Sequence, residues 1–381
     1  MDVTSITKHL LVSKLQENSQ FYDVGGKVIR GERISAGEAV MLYEKADLGL
    51  LSLLASIIRT TKNGDYVYFN RNFHIEPTNI CVYNCGFCSY HKLPGEKDSW
   101  VMSIEQISSY CRRYQHSNIT EVHVVGGVHP KWGIKQYCNI IKKIREILPA
   151  VHIKAFSAIE LYYIFSQAKV SFREGFKLLK QSGLNSIPGG GAEIFNSEIR
   201  RKICPDKPTG DSWLKIHEAA HQEGIPSNAT ILYGHIESYK DRVEHMAAIR
   251  DLQDKTGGFN CFIPLRFRSR NNRFSYLGEV NNVEDLRNFA VARIFLDNIP
   301  HLKAYWPMLG KESTRLALSF GVDDLDGTID DTTKIYSMAG AEEQKPIMTE
   351  EMFIDLARGN GRILVERDST YKPIHVYSDK E

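Results

Sequence analysis

From residue 72 onward, short apolar, β-prone runs alternate with longer stretches whose apolar positions recur every three or four residues. Each short run ends in a polar or glycine-rich loop, so the chain repeats a strand, a loop and an amphipathic helix. The rhythm places strands at 73–76, 121–125, 152–156, 185–188, 227–231, 259–264, 301–305 and 322–325. Helix starts are marked as well. Ser35 with Glu38, Ser103 with Gln106 and Ser171 with Glu174 are capping boxes, and Asn282 precedes Glu284 and Asp285 in a first turn that suits the helix dipole. Eight strand–helix units predict an α/β fold, a complete (β/α)8 TIM-type barrel, with a partial barrel of six units as the alternative. Residues 1–70 read as an N-terminal helical extension covering part of the barrel, 71–345 as the barrel core, and 346–381 as a small C-terminal appendage with a helix near 349–358 and a strand near 362–366. No long linker, low-complexity tract or repeat interrupts this order.

Composition narrows the classes of function. The 42% hydrophobic and 25% charged fractions of the 381 residues are ordinary for a globular protein, and 48 basic against 46 acidic residues leave no excess for wrapping nucleic acid. The most apolar run, 48–58, is too short to span a bilayer and is expected to be a buried helix. The first residues lack the long apolar core of a signal peptide. With cysteines that make better sense as thiolate ligands than as disulfides, the expectation is a cytoplasmic protein with no membrane and no nucleic-acid partner.

The chemistry concentrates in HIEPTNICVYNCGFCSYH, residues 74–91, where Cys81, Cys85 and Cys88 are spaced C-x3-C-x2-C. Three neighbouring thiolates can hold three corners of a cubane iron–sulfur cluster and leave one iron open, unlike a four-cysteine ferredoxin set. Two other readings of the same residues are a zinc site completed by His91 and three buried thiols of no special role. The spacing, with Phe87 before the last cysteine, resembles the signature of the radical S-adenosylmethionine (SAM) superfamily. Four further stretches, SIPGGGAEIF at 186–195, NATILYGHIE at 228–237, HLKAYWPMLG at 301–310 and DDLDGT at 323–328, resemble the menaquinone-pathway branch of that superfamily. Within the branch, the closest resemblance is to the aminofutalosine synthases.

The resemblance implies a 4Fe-4S cluster on the three cysteines and SAM consumed as a co-substrate. Its acceptor would be 3-[(1-carboxyvinyl)oxy]benzoate, and an electron donor such as flavodoxin or ferredoxin would feed the cluster. The related dehypoxanthine futalosine cyclase reaction, in which the same radical abstracts hydrogen, is the alternative within the enzyme class. Outside it stands a non-catalytic metal or electron-transfer protein. In a barrel, the residues after each strand build the site. Gly126 and Gly127 follow the second strand, where glycines admit close approach to the backbone and the family holds the methionine amino group; Val128 stands where an acidic residue is often found. Ser157 and Glu160 follow the third strand and Glu193 the fourth. A carboxylate suits two ribose hydroxyls, with Glu193 ahead of Glu160 for that role. The acceptor's carboxylates and ring call for a guanidinium and an aromatic wall, for which Arg266 and Tyr305 are the candidates, with Arg268 nearby. His235 is a candidate proton shuttle or carboxylate ligand. Cys111, Cys138, Cys204 and Cys261 are expected to be core or inert thiols.

Overall fold

The computed structural model describes residues 3–17, 19–328, 334–341 and 347–377. Its strands are β1 (Tyr66–Asn70), β2 (Asn72–Ile75), β3 (Glu121–Val124), β4 (His152–Ala155), β5 (Ser227–Tyr233), β6 (Phe259–Arg266), β7 (His301–Leu302), β8 (Asp324–Gly327), β9 (Ile363–Arg367) and β10 (Pro373–Val376). Its helices begin with α1 (Val3–Glu17), α2 (Tyr22–Arg30), α3 (Ala36–Lys45) and α4 (Leu48–Asn63), ahead of the first strand. Between β2 and β6 come α5 (Ile104–Arg112), α6 (Ile134–Ile147), α7 (Ala158–Ala168), α8 (Phe172–Ser182), α9 (Ser197–Ile203), α10 (Gly210–Gln222) and α11 (Tyr239–Thr256). After β6 follow α12 (Asn282–Phe295), α13 (Trp306–Leu309), α14 (Lys311–Ala317), α15 (Ile335–Met338) and α16 (Glu350–Arg358).

The parallel pairings run in a ring. β2 pairs with β3 and β3 with β4. Single bridges, Lys154 to Ser186 and Ile187 to Ser227, carry the ring on to β5, and β5 pairs with β6 and β6 with β7. Lys303 bridges to Asp324 in β8, which pairs with β1, and β1 runs on through Arg71 into β2. Eight staves close on themselves, as the eight-unit reading expects.

The eighth stave runs over Asp324–Gly327 in place of 322–325, and three others differ from expectation as well. The fourth, expected at 185–188, is reduced to the two bridges at Ser186 and Ile187, because Pro188 has no N–H to continue a ladder. The seventh stops at the Lys303 bridge, short of 305, where the backbone turns at Tyr305 into α13. The first begins at Tyr66, so residues 66–70, expected within the helical extension, form a strand instead. The expected 345/346 boundary lies outside the described residues.

The expected C-terminal helix and strand appear as α16 and β9, joined by an unexpected antiparallel β10. β9 pairs in parallel with β1 on the edge that β3 occupies farther along the same stave. Arg71, at the join of β1 and β2, bonds to Glu366 and Glu350. Phe69 stacks on Phe353 of α16 at 4.7 Å, and Arg367 pairs with Asp324 of β8 at 2.6 Å. The C-terminal residues are therefore built into the end of the barrel opposite the strand-end loops.

Helix starts follow local chemistry. All three predicted capping boxes are present, and the cap of α12 is Asn281, one residue before the expected Asn282. α3 and α4 pack on the α11–α12 side of the barrel, with Tyr43 bonded to Asn288 at 2.7 Å.

Candidate functional site

The cysteine segment forms the loop after β2, at the C-terminal ends of the barrel strands. Its path is set by backbone contacts from three sides. Val82 N–H donates to Val128 at 3.0 Å, Gly86 N–H to Ile203 at 2.7 Å, and Arg273 N–H to Gly86 at 2.9 Å. A side chain at Gly127 would stand 2.3 Å from the Ile80 carbonyl oxygen, and one at Gly126 would stand 2.6 Å from that of Thr78. These glycines thus press the 126–128 segment against the stem of the cysteine loop, and neither borders the cavity. The two strand-end loops share one rung, in which Gly127 N–H donates to Thr78 at 2.7 Å.

Cys81, Cys85 and Cys88 are all free thiols. Burial pushes the Cys81 and Cys85 thiols up, so a bound cation is what would hold them as thiolates. Among the described residues, no three His, Cys, Asp or Glu side chains converge on one point as a mononuclear site requires. A cubane cluster takes its cysteines on separate irons, and the loop's three thiols fit that donor set. Lys207, which sequence reasoning missed, stands beside them. Its ammonium bonds to Glu193 at 2.6 Å and lies 5.2 Å from the centre of the Phe87 ring. Burial opposes the Lys207 charge, but Cys85, Glu193 and Cys204 outweigh it and raise the group well above its ordinary value. Only its place in the short loop after α9 brings it here, and no motif marks it.

One cavity of about 260 Å³ opens beside the loop. Phe87, Cys88, Glu193, Arg266, Arg268 and Tyr305 all border it, so the structure brings together residues from four separate predicted strand ends. Its walls are largely apolar, including Val125, Leu232, Ile263, Leu265, Phe267 and Met308, and Tyr336 of α15 adds a ring 5.4 Å from that of Tyr305. The floor is polar. Lys154 pairs with Glu121 at 2.6 Å and Lys303 with Asp326, ion pairs that a lysine in the middle of the apolar run HIKAF and the acids of DDLDGT could have signalled.

Other expected residues lie elsewhere. Glu160 does not border the cavity. It caps its own helix, accepting from Ser157 N–H and Ser157 hydroxyl at 2.7 Å each, and burial pushes its carboxyl up to about 7 against those hydrogen bonds. Ser157 is thereby engaged away from the cavity too. His235 is likewise internal. Its Nδ1 accepts from Ile236 N–H at 2.7 Å and its Nε2 donates to the Leu232 carbonyl at 3.1 Å. Glu237 also stands 3.0 Å from Nδ1. Burial lowers the His235 value. Glu237 receives Gly234 and His235 N–H and the Arg242 guanidinium, so the YGHIE stretch is a braced turn. Arg268 donates to the Gly340 carbonyl at 2.9 Å and pairs with Glu279 at 3.2 Å, which fastens the residues after α15 to the barrel mouth.

Comparison with known proteins adds independent findings. The family model of the radical SAM superfamily matches residues 75–249, and that of the CofH/MqnC C-terminal region matches 256–374. The aminodeoxyfutalosine synthase of Thermus thermophilus is 39% identical over 362 residues, 94% of this chain and 97% of that protein. The 5-amino-6-(D-ribitylamino)uracil–L-tyrosine 4-hydroxyphenyl transferase of Methanoculleus marisnigri is 38% identical over 90% of this chain and 95% of its own. The cyclic dehypoxanthine futalosine synthase of Streptomyces coelicolor is 34% identical over 96% and 92%. Among solved structures, the [FeFe]-hydrogenase maturase HydG superposes with a TM-score of 0.73 at 17% identity, covering 95% of this chain and 80% of that one, a likeness of fold.

Proposed function

This chain belongs to the radical SAM superfamily and, within it, to the family of the aminodeoxyfutalosine synthases, and from that premise we propose that it joins the 5'-deoxyadenosyl unit of SAM to 3-[(1-carboxyvinyl)oxy]benzoate to give 6-amino-6-deoxyfutalosine, a step of futalosine-dependent menaquinone biosynthesis. The observation that carries this reading is that the three-cysteine loop and the acceptor candidates Arg266 and Tyr305 share one largely apolar cavity.

Cys81, Cys85 and Cys88 would hold a 4Fe-4S cluster. When bound, the cluster supplies the electron that opens the sulfonium bond of SAM. Glu193, at the cavity edge, is oriented by Lys207 and receives the ribose hydroxyls. Phe87 packs beside the SAM site, and the Gly126–Gly127 segment fixes the cysteine loop. Arg266 takes an acceptor carboxylate and Tyr305 lies against its ring. The SAM-derived radical then adds to the enol-ether carbon, the adduct radical rearranges by aryl migration, and its carboxylate leaves as carbon dioxide, hydrated by water to bicarbonate, while the electron spent on opening the sulfonium bond is given back, so that the joined product is closed-shell. The apolar walls keep water and stray hydrogen donors from that radical, so the protein's work is proximity and exclusion more than acid–base chemistry. In this reading His235 and Glu160 support the fold around the cavity, His235 through bonds from both ring nitrogens to backbone and Glu160 through its bonds to Ser157. The reductant fits a flavodoxin or ferredoxin, and thiolate ligation fits a reducing cytoplasm.

The test is incubation of the reduced holoenzyme with adenosyl-labelled SAM and the acceptor. Label is expected in a larger nucleoside, in balance with methionine. Label found only as 5'-deoxyadenosine beside intact acceptor would overturn the reading in favour of hydrogen abstraction, and turnover with L-tyrosine instead would favour the transferase.

A further inference from the structure

Asp285 sits in the first turn of α12, where a solvated acid facing the helix dipole is the ordinary reading, yet it is only 1% exposed. Both of its oxygens are occupied. Oδ2 accepts from Arg266 Nη1 at 2.8 Å, and Oδ1 accepts from the Tyr233 hydroxyl at 2.6 Å. Tyr233 and Arg266 are register partners at the ends of β5 and β6, so the barrel wall itself delivers both donors to one carboxylate.

The arrangement leaves the guanidinium half satisfied. A carboxylate free to turn would close a second parallel hydrogen bond on the arginine fork. The tyrosine holds the oxygen needed for that bond, so Asp285 grips Arg266 by one corner. Nε of Arg266 is buried with no acceptor among the described residues, and Nη2 has the Leu309 carbonyl at 3.5 Å, a long contact. Nε and Nη2 form one edge of the fork, and Arg266, itself 8% exposed, borders the cavity. A buried arginine needs a counterion to remain in place, and a counterion on Nη1 does so while the Nε/Nη2 edge stays unused.

From this geometry we infer that Asp285, braced by Tyr233, is a positioning residue for the acceptor, fixing the Arg266 guanidinium so that its Nε/Nη2 edge is kept for the carboxylate of a planar organic acid. This rests on the reading of Arg266 as the carboxylate partner. Tyr233 thereby affects recognition without bordering the cavity, since losing its hydroxyl would free the Asp285 carboxylate to turn and carry the Arg266 guanidinium out of its fixed orientation.

The experiment uses reconstituted holoenzyme with 3-[(1-carboxyvinyl)oxy]benzoate and measures the acceptor's KM, the KM for SAM, and 5'-deoxyadenosine formed without acceptor. Tyr233→Phe and Asp285→Asn are expected to raise the acceptor's KM about ten- to a hundredfold, the loss of one charge-assisted hydrogen bond. Their SAM KM and acceptor-free cleavage should stay within about twofold, which a collapsed site would not preserve. Tyr233→Phe changes one oxygen and carries the test even where Asp285→Asn fails to fold. If Arg266→Ala impairs acceptor use and Tyr233→Phe does not, the positioning role is overturned and the arginine reading stands. Normal acceptor use by Arg266→Ala would overturn both.

Discussion

Glu193 adopts φ +48°, a left-handed conformation that a residue with a side chain enters at some cost, and its carboxylate is held at 2.6 Å by Lys207 beside the cysteine loop. The strain fixes where a negative charge sits at the edge of the cavity. Glu193→Gln should keep the shape and weaken SAM binding by about 1–3 kcal/mol, the loss of charged acceptors for two hydroxyls; unchanged SAM affinity in an anaerobic titration would remove the residue from the site. Alanine at Cys81, Cys85 or Cys88 should abolish SAM cleavage. Cys111, buried in α5 away from the cavity, should tolerate alanine with cleavage retained. Iron content and 5'-deoxyadenosine formation measured together check both statements. The cysteines were legible because their spacing has a chemical meaning, and the place of Glu193 at the cavity because it follows a predicted strand end. Lys207 was not, since a lone lysine in a loop means nothing until folding sets it next to thiols and a carboxylate.

At the scale of elements, the loops after β2 and β3 behave as one unit. Gly127 lies so close to Ile80 that an added methyl group must move the stem carrying Cys81. Gly127→Ala is therefore expected to lower cluster occupancy, read as iron and sulfide per chain, while the helical content of the protein is kept. Full occupancy would show that the two loops move independently. Helix starts were readable from four-residue windows because a capping box is a local bond pattern, and all three expected boxes formed. Strand lengths were less readable, because a stave ends where a partner's hydrogen bonds end. Pro188 shortens the fourth stave and Tyr305 turns the seventh. The first stave is longer than its apolar run because β8 and β9 supply partners for 66–70.

Over the whole molecule, several histidines are buried in their neutral form. Burial lowers His152 and His221 to about 4 and His245 to about 3, from an ordinary value near 6.5. Folded values below the unfolded one mean that this stability is complete above about pH 6.5 and is lost as pH falls toward 4, where the unfolded chain takes up protons that the native one refuses. The unfolding free energy of the holoprotein from urea titrations should drop steadily between pH 6.5 and 4, by an amount on the order of a few kcal/mol. A flat profile across that window would contradict the neutral burial of these rings.

What the sequence determined by itself was whatever repeats or sits close together along the chain: eight strand–helix units, the capping boxes, and three cysteines whose spacing carries its chemistry in eight consecutive positions. What only the tertiary structure decided was which polar groups face the cavity and which are consumed within the fold. Glu160, His235 and Arg266 look equally available in the sequence. Folding turns the first into a helix cap, closes both nitrogens of the second on backbone, and leaves the third at the cavity held by one corner. The reason is physical: a buried polar atom must find a partner, and whether that partner comes from its own loop or from a residue 19 positions away, as Asp285 does for Arg266, is set by the closing of the barrel.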